Sequence, residues 1–246
     1  KVMVIKDISQ GVKIESSRKE FISNVSHELK TPLTVILGFI ETLENMFGPK
    51  DTEHKNILKI MSGQANRMSK LIDDLLMLSN VESSLFQNRS EKLIINTIIT
   101  KLKKNISILN NKGHKIKYRI DVKLNVYGSK KEIESAFFNL ITNAIRYTER
   151  NGLISISWGL INGLPIFEVK DTGSGIEKKH INRITERFYR VDDDRSRSTG
   201  GTGLGLSIVK NIMIKHQGEL NILSELNKGS TFKLIFPSDR LIKIEN

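Results

Sequence analysis

The sequence contains no cysteine, so neither a disulfide framework nor a thiolate metal site can form. Aromatic residues make up only 6% of the 246 residues, too few to indicate a surface that stacks on nucleic-acid bases. No run of about 18 or more apolar residues is present, which is the length a membrane-spanning helix needs. Because the first residue is lysine and not methionine, we interpret the chain as a fragment, and an anchor could lie in the missing part.

The chain carries a formal net charge of +12, which would suit binding to nucleic acid or to an anionic membrane. Its basic residues are dispersed, however, and are not interleaved with aromatic residues. A solvated basic surface is the preferred interpretation, and attraction for nucleotide phosphates or an acidic partner protein is the alternative. We expect neither a nucleic-acid partner nor membrane contact by this chain; a nucleic-acid binder would show an affinity for duplex DNA that falls steeply with salt.

Two amphipathic helices are predicted in the first third of the chain, from about residue 15 to 47 and from 52 to 82. Each has apolar residues three and four apart, a seam suited to packing against other helices. Two helices form only a thin core, so we predict a homodimer in which two hairpins make a four-helix bundle. The seam residues are Ile22, Val25, Leu29, Pro32, Ile36, Phe39, Leu43 and Met46 in the first helix, and Ile57, Met61, Met68, Leu71, Leu75 and Leu78 in the second.

One histidine, His27, falls between the seam positions of the first helix and is followed by the carboxylate Glu28. The helical period places its ring on the solvent side, where an imidazole is partly neutral and its nitrogen can attack phosphorus. Pro32 cannot donate a backbone hydrogen bond, so it predicts a bend just after the histidine. Taken alone, such a surface histidine is more often only solvated.

The remainder of the chain alternates strands and helices imperfectly, which favours an α+β sandwich with helices over one face of a mixed sheet. Asn162-Gly163 indicates a β-hairpin turn, and Ser129 with Glu132 matches a capping box that opens a helix. The predicted organisation is the end of an upstream sensor domain or connector in 1–14, the helical hairpin in 15–84, a linker in 85–92, the sandwich in 93–240 and a tail in 241–246.

Asn139 and Asn143 are four residues apart, so both amides project from one helix face, where their oxygens could ligate a hard cation such as Mg²⁺. Arg146 lies near that face and could meet phosphate oxygens. Alone, two such amides are more often polar side chains that only face solvent.

Asp171 ends a predicted strand and precedes Gly173 and Gly175. A turn residue is the default interpretation of such an aspartate. The alternative is that its carboxylate accepts the exocyclic amine of adenine, while the glycines let the backbone approach the ring.

Gly201, Gly203 and Gly205 lead into an apolar helix, so free amides and the helix dipole would face an anion such as a triphosphate. The dinucleotide-binding fingerprint requires a strand directly before the glycines, and Walker A requires a lysine after the last glycine; this segment has neither. We therefore interpret the segment as a mobile lid over a nucleotide. Arg190 could hold a terminal phosphate, whereas its neighbours Phe188 and Tyr189 could be ordinary core residues.

Together these segments resemble the histidine, N, G1, F and G2 boxes of sensor histidine kinases, in the family's order, over nearly the whole chain after about residue 15. Residues 21–34 and 185–192 are most similar to the phosphate-regulon members of that family. The family implies a dimeric hairpin followed by a Bergerat-type ATP-binding sandwich. Two departures are that Arg146 stands where many members have lysine, and Thr185 replaces a frequent phenylalanine.

The resemblance implies that His27 receives the γ-phosphoryl group of ATP, Glu28 acts as its base and orienter, and Thr31 positions water for dephosphorylating a partner. For the metal, it implies that Asn143 ligates Mg²⁺ with Asn139 beside it. For the base, it implies that Asp171 takes the adenine amine, that Tyr147 borders the adenine, and that Gly173 and Gly175 flank it. For the phosphates, it implies contacts from Arg146 and Arg190 and a phosphate-facing loop formed by Gly201, Thr202, Gly203, Leu204 and Gly205.

As implied partners, the family adds a second copy of the chain and the receiver domain of a response regulator, whose aspartate takes the phosphoryl group and which the kinase can also dephosphorylate. The implied location is the cytoplasmic portion of a protein anchored in a bacterial inner membrane, and the subtype implies phosphate-starvation signalling. A rival is a clamp that uses the same ATP site without transfer to histidine, as in gyrase and a heat-shock chaperone.

Overall fold

The structure, a computed structural model, describes residues 29–30, 33–43, 46, 52–83, 91–110, 112–191 and 202–242. The chain divides into two compact units, Lys1–Ser83 and Ser84–Asn246. The predicted sensor-domain remnant in 1–14, most of the linker and most of the tail lie outside the described residues, so the domain boundaries stay predictions.

The first unit is a helical hairpin made of helical residues 33–43 (α1) and the long helix α2, Thr52–Ser83. Lys30 Nζ lies 2.6 Å from the Asp73 carboxylate, which joins the beginning of the first helix to the later part of α2. The buried core between the helices consists of Leu33, Ile40, Leu58, Ala65 and Ile72, with Leu37 and Leu76 packed against it.

This core differs from the predicted seam. Phe39 is 67% exposed and Met46 is 74% exposed, and Leu29, Ile36 and Leu43 are also exposed within the single chain. The physical reason is that α1 carries two apolar stripes, and only the stripe of Leu33, Leu37 and Ile40 packs on α2. The seam residues Ile57, Met61 and Met68 of α2 are exposed in the same way, whereas Leu78 is buried.

The second unit is an α+β sandwich, as predicted. A five-stranded mixed sheet has the order β2-β4-β5-β7-β6, in which β2 and β4 are parallel and the other neighbours antiparallel, and β1 pairs separately with β3. The strands are β1 Glu91–Leu93, β2 Lys115–Ile120, β3 Val126–Gly128, β4 Leu153–Ile161, β5 Leu164–Asp171, β6 Glu219–Glu225 and β7 Gly229–Ile235; the helices are α3 Ile95–Leu109, α4 Lys130–Tyr147, α5 Lys178–Ile181 and α6 Gly205–Lys215, with a 3₁₀ turn at Ser238–Arg240.

An aromatic cluster holds α4 on the sheet. The Phe137 ring of α4 stacks on Phe167 of β5 with 3.7 Å between ring centroids, and Trp158 of β4 meets Phe236 edge-on at 5.7 Å. All four side chains are essentially fully buried. Truncating one such ring to alanine typically costs about 3–5 kcal/mol, so this cluster dominates the position of α4.

Of the two predicted local motifs, the hairpin turn is confirmed and the capping box is not. Asn162 and Gly163 have φ angles of 52° and 79°, the left-handed pair that a two-residue hairpin turn requires, and they join β4 to β5 as predicted. The capping box is wrong in its bonding, although α4 does begin after Ser129: that side chain makes no capping hydrogen bond. The backbone N–H of Ser129, which Glu132 would bind in a capping box, donates to His216 Nε2 at 3.1 Å. The Glu132 carboxylate binds Lys215 Nζ at 2.6 Å, so tertiary partners replace the local ones.

Candidate active site

The C-terminal half of α4 carries the two predicted amides. Asn139 is buried, and its Nδ2 donates to the Ser135 carbonyl at 3.0 Å, which leaves its Oδ1 facing the first turn of α6. Asn143 lies one helical turn later and is partly exposed, with no hydrogen bond from its amide to any residue that the structure describes. Arg146 is partly exposed and the Tyr147 ring is 47% exposed, so this end of the helix opens to solvent.

The C-terminal end of α4 is held by a segment that the sequence reasoning missed. Lys112 Nζ donates to the carbonyls of Arg146 at 2.7 Å and Thr148 at 3.2 Å, and the buried His114 ring contacts the Thr148 carbonyl through Nε2 at 3.1 Å. A cation at a helix C-terminus interacts favourably with the helix dipole and satisfies its last carbonyls. Lys112 follows the end of α3 by three residues, and a lysine near a helix end is too common a pattern for its contact with α4 to be predicted from the sequence.

Asp171 is the last residue of β5 and is only 5% exposed. Its Oδ1 accepts hydrogen bonds from the backbone N–H of Gly173 at 2.8 Å and of Ser230 at 3.3 Å, and no described residue donates to Oδ2. Burial raises the pKa of Asp171 above its usual range, against the opposing effect of the two backbone N–H groups. The bond from the Gly173 N–H is that of a turn-forming aspartate, and the role of the carboxylate toward adenine stays a prediction.

Gly173 and Gly175 allow the loop after β5 to pack against the protein's own backbone. A side chain at Gly173 would overlap the Tyr147 carbonyl oxygen, and one at Gly175 would overlap the Glu225 carbonyl oxygen. Gly175 also has a φ of 64°, a left-handed conformation that favours glycine. The predicted approach to an adenine ring stays a prediction.

The described part of the second glycine segment begins at Thr202, since Gly201 lies outside the described residues. Gly203 has a φ of 74°, and a Cβ there would lie 2.9 Å from Phe188 Cα; its carbonyl accepts the Phe188 N–H at 3.0 Å. Leu204 is fully buried and anchors the start of α6. Gly205 begins α6 against the Asn139 side chain, whose Oδ1 would be 2.8 Å from a Cβ at this position.

Contacts among these segments bring four motifs that are far apart in sequence to one place. The Ser174 N–H donates to the Tyr147 carbonyl at 3.2 Å, which joins the Asp171 loop to α4. Gly205 joins α6 to α4, and Phe188 joins the Arg190 segment to Gly203. Arg190 itself is partly exposed. The result is a region with amide, carboxylate, guanidinium and helix N-terminal groups around the end of α4.

Three predicted residues of the other unit, His27, Glu28 and Thr31, lie outside the described residues, so their roles stay predictions. Within the described ranges, the structure contains no group of three or more histidine, aspartate or glutamate side chains arranged as a metal site. The predicted metal ligands are amide oxygens and belong to a different donor class. Over those same ranges, no helix has the length and hydrophobicity needed to cross a membrane.

Two family models match the chain. The model of the His Kinase A phospho-acceptor domain matches residues 17–84, which include His27, and the model of the histidine kinase-, DNA gyrase B- and HSP90-like ATPase matches residues 128–240. The second range contains every predicted nucleotide-site residue. Both predicted domain types, and their order, are thereby confirmed.

Similar proteins align along nearly the whole chain. The phosphate regulon sensor protein PhoR of Pseudomonas aeruginosa is 38% identical over 99% of this chain and 55% of its own length, and that of Haemophilus influenzae is 36% identical over 100% and 57%. The chain thus spans little more than half the length of these relatives. The predicted resemblance to phosphate-regulon sensor kinases is confirmed.

A solved structure supports the fold independently. Full-length ShkA, determined in complex with AMPPNP, matches 89% of this chain and 45% of its own with a TM-score of 0.72 and 24% identity, a level that speaks to the fold alone. The two domain matches in this order, together with relatives aligned along nearly the whole chain, show that the protein belongs to the sensor histidine kinases of two-component systems.

Proposed function

We propose that this chain is the kinase core of a sensor protein: it binds ATP, autophosphorylates His27 and passes the phosphoryl group to an aspartate of a response regulator, which it also dephosphorylates. The observation that carries the proposal is the convergence of the four motifs around the end of α4, in a chain whose phospho-acceptor match contains a histidine followed by a carboxylate. A nucleotide site and an acceptor are both needed for transfer.

The nucleotide is proposed to lie with its adenine at Asp171 and its phosphates at the start of α6. The Oδ2 atom of Asp171 is the acceptor for the exocyclic amine, because Oδ1 is already occupied by two backbone N–H groups. The exposed Tyr147 ring borders the base, and the first amides of α6 together with Arg146 and Arg190 face the phosphates. Gly173 and Gly175 hold the Asp171 loop in place.

The residues present fit a magnesium ion. Mg²⁺ prefers oxygen donors and usually keeps several waters, so a single partly exposed amide beside bound phosphates is a suitable protein ligand. Asn143 supplies such an oxygen, and Asn139 holds the adjacent first turn of α6. When bound, the metal would neutralise phosphate charge during transfer.

The transfer itself forms a bond between a neutral nitrogen of His27 and the γ-phosphorus, while the bond from phosphorus to the β–γ bridging oxygen breaks and ADP leaves with that electron pair. Glu28 accepts the proton released by the imidazole. Phosphoryl transfer depends mainly on in-line positioning and charge neutralisation, so the site's main contribution is to orient the triphosphate. In the opposing regulatory reaction, Thr31 positions a water that attacks the phosphorus of the partner's phosphoaspartate, so that the bond to the aspartate oxygen breaks and inorganic phosphate leaves.

A second copy of the chain is the proposed partner for the hairpin. The exposed apolar stripe with Phe39 and Met46 supports this, because two such stripes facing each other complete a four-helix bundle. We further propose that the parent protein is anchored in the bacterial inner membrane with this part in the cytoplasm, and that it acts in phosphate-starvation signalling. The names of the two PhoR relatives support the last point.

Incubation with γ-labelled ATP and Mg²⁺ tests the central reaction. We expect acid-labile, base-stable label on the wild-type protein and none on His27→Gln. His54→Gln is the matched control, since His54 is an exposed histidine on α2, and it should label normally. Full labelling of His27→Gln would contradict the proposal, and ATP hydrolysis without any labelled protein would identify a clamp instead.

A further inference from the structure

Tyr189 makes an unusual set of contacts with the short helix α5 and the turn after it. Its hydroxyl lies 2.6 Å from His180 Nδ1, and the Arg183 guanidinium carbon lies 4.2 Å from the centre of its ring. Both partners lie in residues 180–186, a segment of consecutive turns whose last residue, Glu186, accepts the Tyr189 N–H through its carbonyl at 3.4 Å. The tyrosine is therefore held by its ring face and by its hydroxyl at the same time.

The residue before it needs such an anchor. Phe188 has a φ of 62°, a left-handed conformation that residues with a Cβ rarely adopt, and its side chain is 57% exposed. Burial of the phenylalanine ring thus does not hold this backbone in place. Two contacts fix it: the Phe188 N–H to the Gly203 carbonyl at 3.0 Å, and the neighbouring Tyr189 with its partners.

The position of Arg190 depends on these contacts of Tyr189. Arg190 directly follows Tyr189, and the backbone of the same segment, at Phe188, packs on Gly203 within the phosphate-facing loop. A shift of Tyr189 would move the arginine and that loop together. The ring of His180 is thereby linked to Arg190 and Gly203, the two groups proposed above to face the outer phosphates, although it contacts neither of them.

We infer that His180 is a positioning residue for the γ-phosphate of ATP: by bonding the Tyr189 hydroxyl, it sets the backbone that carries Arg190 and supports Gly203. The inference rests on the proposed function and deepens it. It makes the imidazole a determinant of the preference for a triphosphate over a diphosphate, while the adenine end at Asp171 is left unaffected.

Two variants break the bond from either side. Tyr189→Phe removes only the hydroxyl and keeps the ring under Arg183, and His180→Phe removes the imidazole nitrogen. For each, we expect the Kd for ATP to rise about tenfold, the effect of one hydrogen bond to a positioned group, with the Kd for ADP changed less than about twofold. The double variant should be no weaker than either single one, because both remove the same bond.

The matched control is Tyr118→Phe, which removes a phenol hydroxyl from β2, outside the site. It should leave both nucleotide affinities unchanged. Autophosphorylation adds a second measurement: the KM for ATP should rise with the Kd in the two site variants. Melting temperatures within about 2 °C of wild type would show that the domain is intact, since a loss of about 1 kcal/mol shifts the melting temperature by several degrees.

Arg190→Ala separates failure of this inference from failure of the proposed function. If Arg190→Ala does not weaken ATP more than ADP, the proposed role of Arg190 is wrong and the inference falls with it. If Arg190→Ala does so, but the His180 and Tyr189 variants weaken both nucleotides equally or neither, His180 has only a structural role and the inference is overturned.

Discussion

Replacing Asp171 with asparagine tests the proposed adenine recognition with almost no change in shape. In the wild-type protein Oδ1 accepts two backbone N–H groups, from Gly173 and Ser230. An asparagine has a single oxygen, and these two buried donors require an acceptor. The amide oxygen must therefore take the place of Oδ1, so that the NH₂ group takes the place of Oδ2 and points a donor at the adenine amine.

The expected magnitude follows from this geometry. The variant loses a hydrogen bond to a charged acceptor and leaves two donors facing each other, which costs about 1.5–3 kcal/mol of binding free energy. At about 1.4 kcal/mol per tenfold change, the Kd for ATP rises roughly 10- to 100-fold. The free energy of unfolding should change by less than about 1 kcal/mol, because both backbone donors keep a partner and the charge whose burial raises the pKa of Asp171 is removed.

Isothermal titration with a non-hydrolysable ATP analogue measures the Kd directly, and urea unfolding measures stability. Asp121→Asn is the matched control, since Asp121 Oδ1 also accepts a backbone N–H, from Lys123 at 3.0 Å, but at an exposed turn. That control should bind nucleotide normally. Unchanged affinity in Asp171→Asn, with the fold intact, would refute the assignment of adenine to this carboxylate.

Three other predictions concern backbone geometry, pH and assembly. Gly175→Ala should cost about 1–3 kcal/mol in urea unfolding, because it places a Cβ at a φ of 64° against the Glu225 carbonyl; an unchanged midpoint would contradict this. Burial lowers the pKa of His216 in the folded protein, so as the pH falls this histidine is protonated in the unfolded chain before it is in the folded one. The free energy of unfolding should therefore fall as the pH drops below about 6.5. His216→Gln should flatten this dependence, and an equal slope in both proteins would contradict the reasoning. Phe39→Glu should dissociate the proposed dimer in sedimentation equilibrium, whereas Thr34→Glu, at an exposed position of the same helix away from that stripe, should not; a stable Phe39→Glu dimer would show that the stripe is not the interface.

Elements with strong local signals were predicted well from the sequence. The helix predicted from 52 to 82 is observed as α2, Thr52–Ser83, and the turn predicted at Asn162-Gly163 joins β4 to β5, because apolar periodicity and turn residues act locally. The short strand β1 and the single turn α5 were missed. Each has only three or four residues and exists because of its neighbours: β1 pairs with β3, and α5 is followed by the turn that holds Tyr189.

The hairpin shows that helical periodicity identifies an apolar stripe without identifying the partner that covers it. Both apolar stripes of α1 have helical spacing, so periodicity alone does not say which one packs within the chain. Tertiary packing selected Leu33, Leu37 and Ile40, which left the predicted seam exposed. The capping box failed because of tertiary contacts: the Glu132 carboxylate binds the nearly buried Lys215 of α6, and the Ser129 side chain makes no capping hydrogen bond.

For the nucleotide site, the sequence by itself determined the residue types and their local spacing: two amides one helical turn apart, an aspartate at a strand end, and glycines before an apolar helix. Only the tertiary structure decided that these segments meet, that the Asp171 loop packs on the Tyr147 carbonyl, and that Lys112 and His180, which lie outside the motifs, contact Arg146 and Tyr189. The physical reason is the distance along the sequence over which each interaction acts. Helical and strand periods follow from neighbouring residues, whereas burial, desolvation and contacts across tens of residues depend on how the whole chain packs.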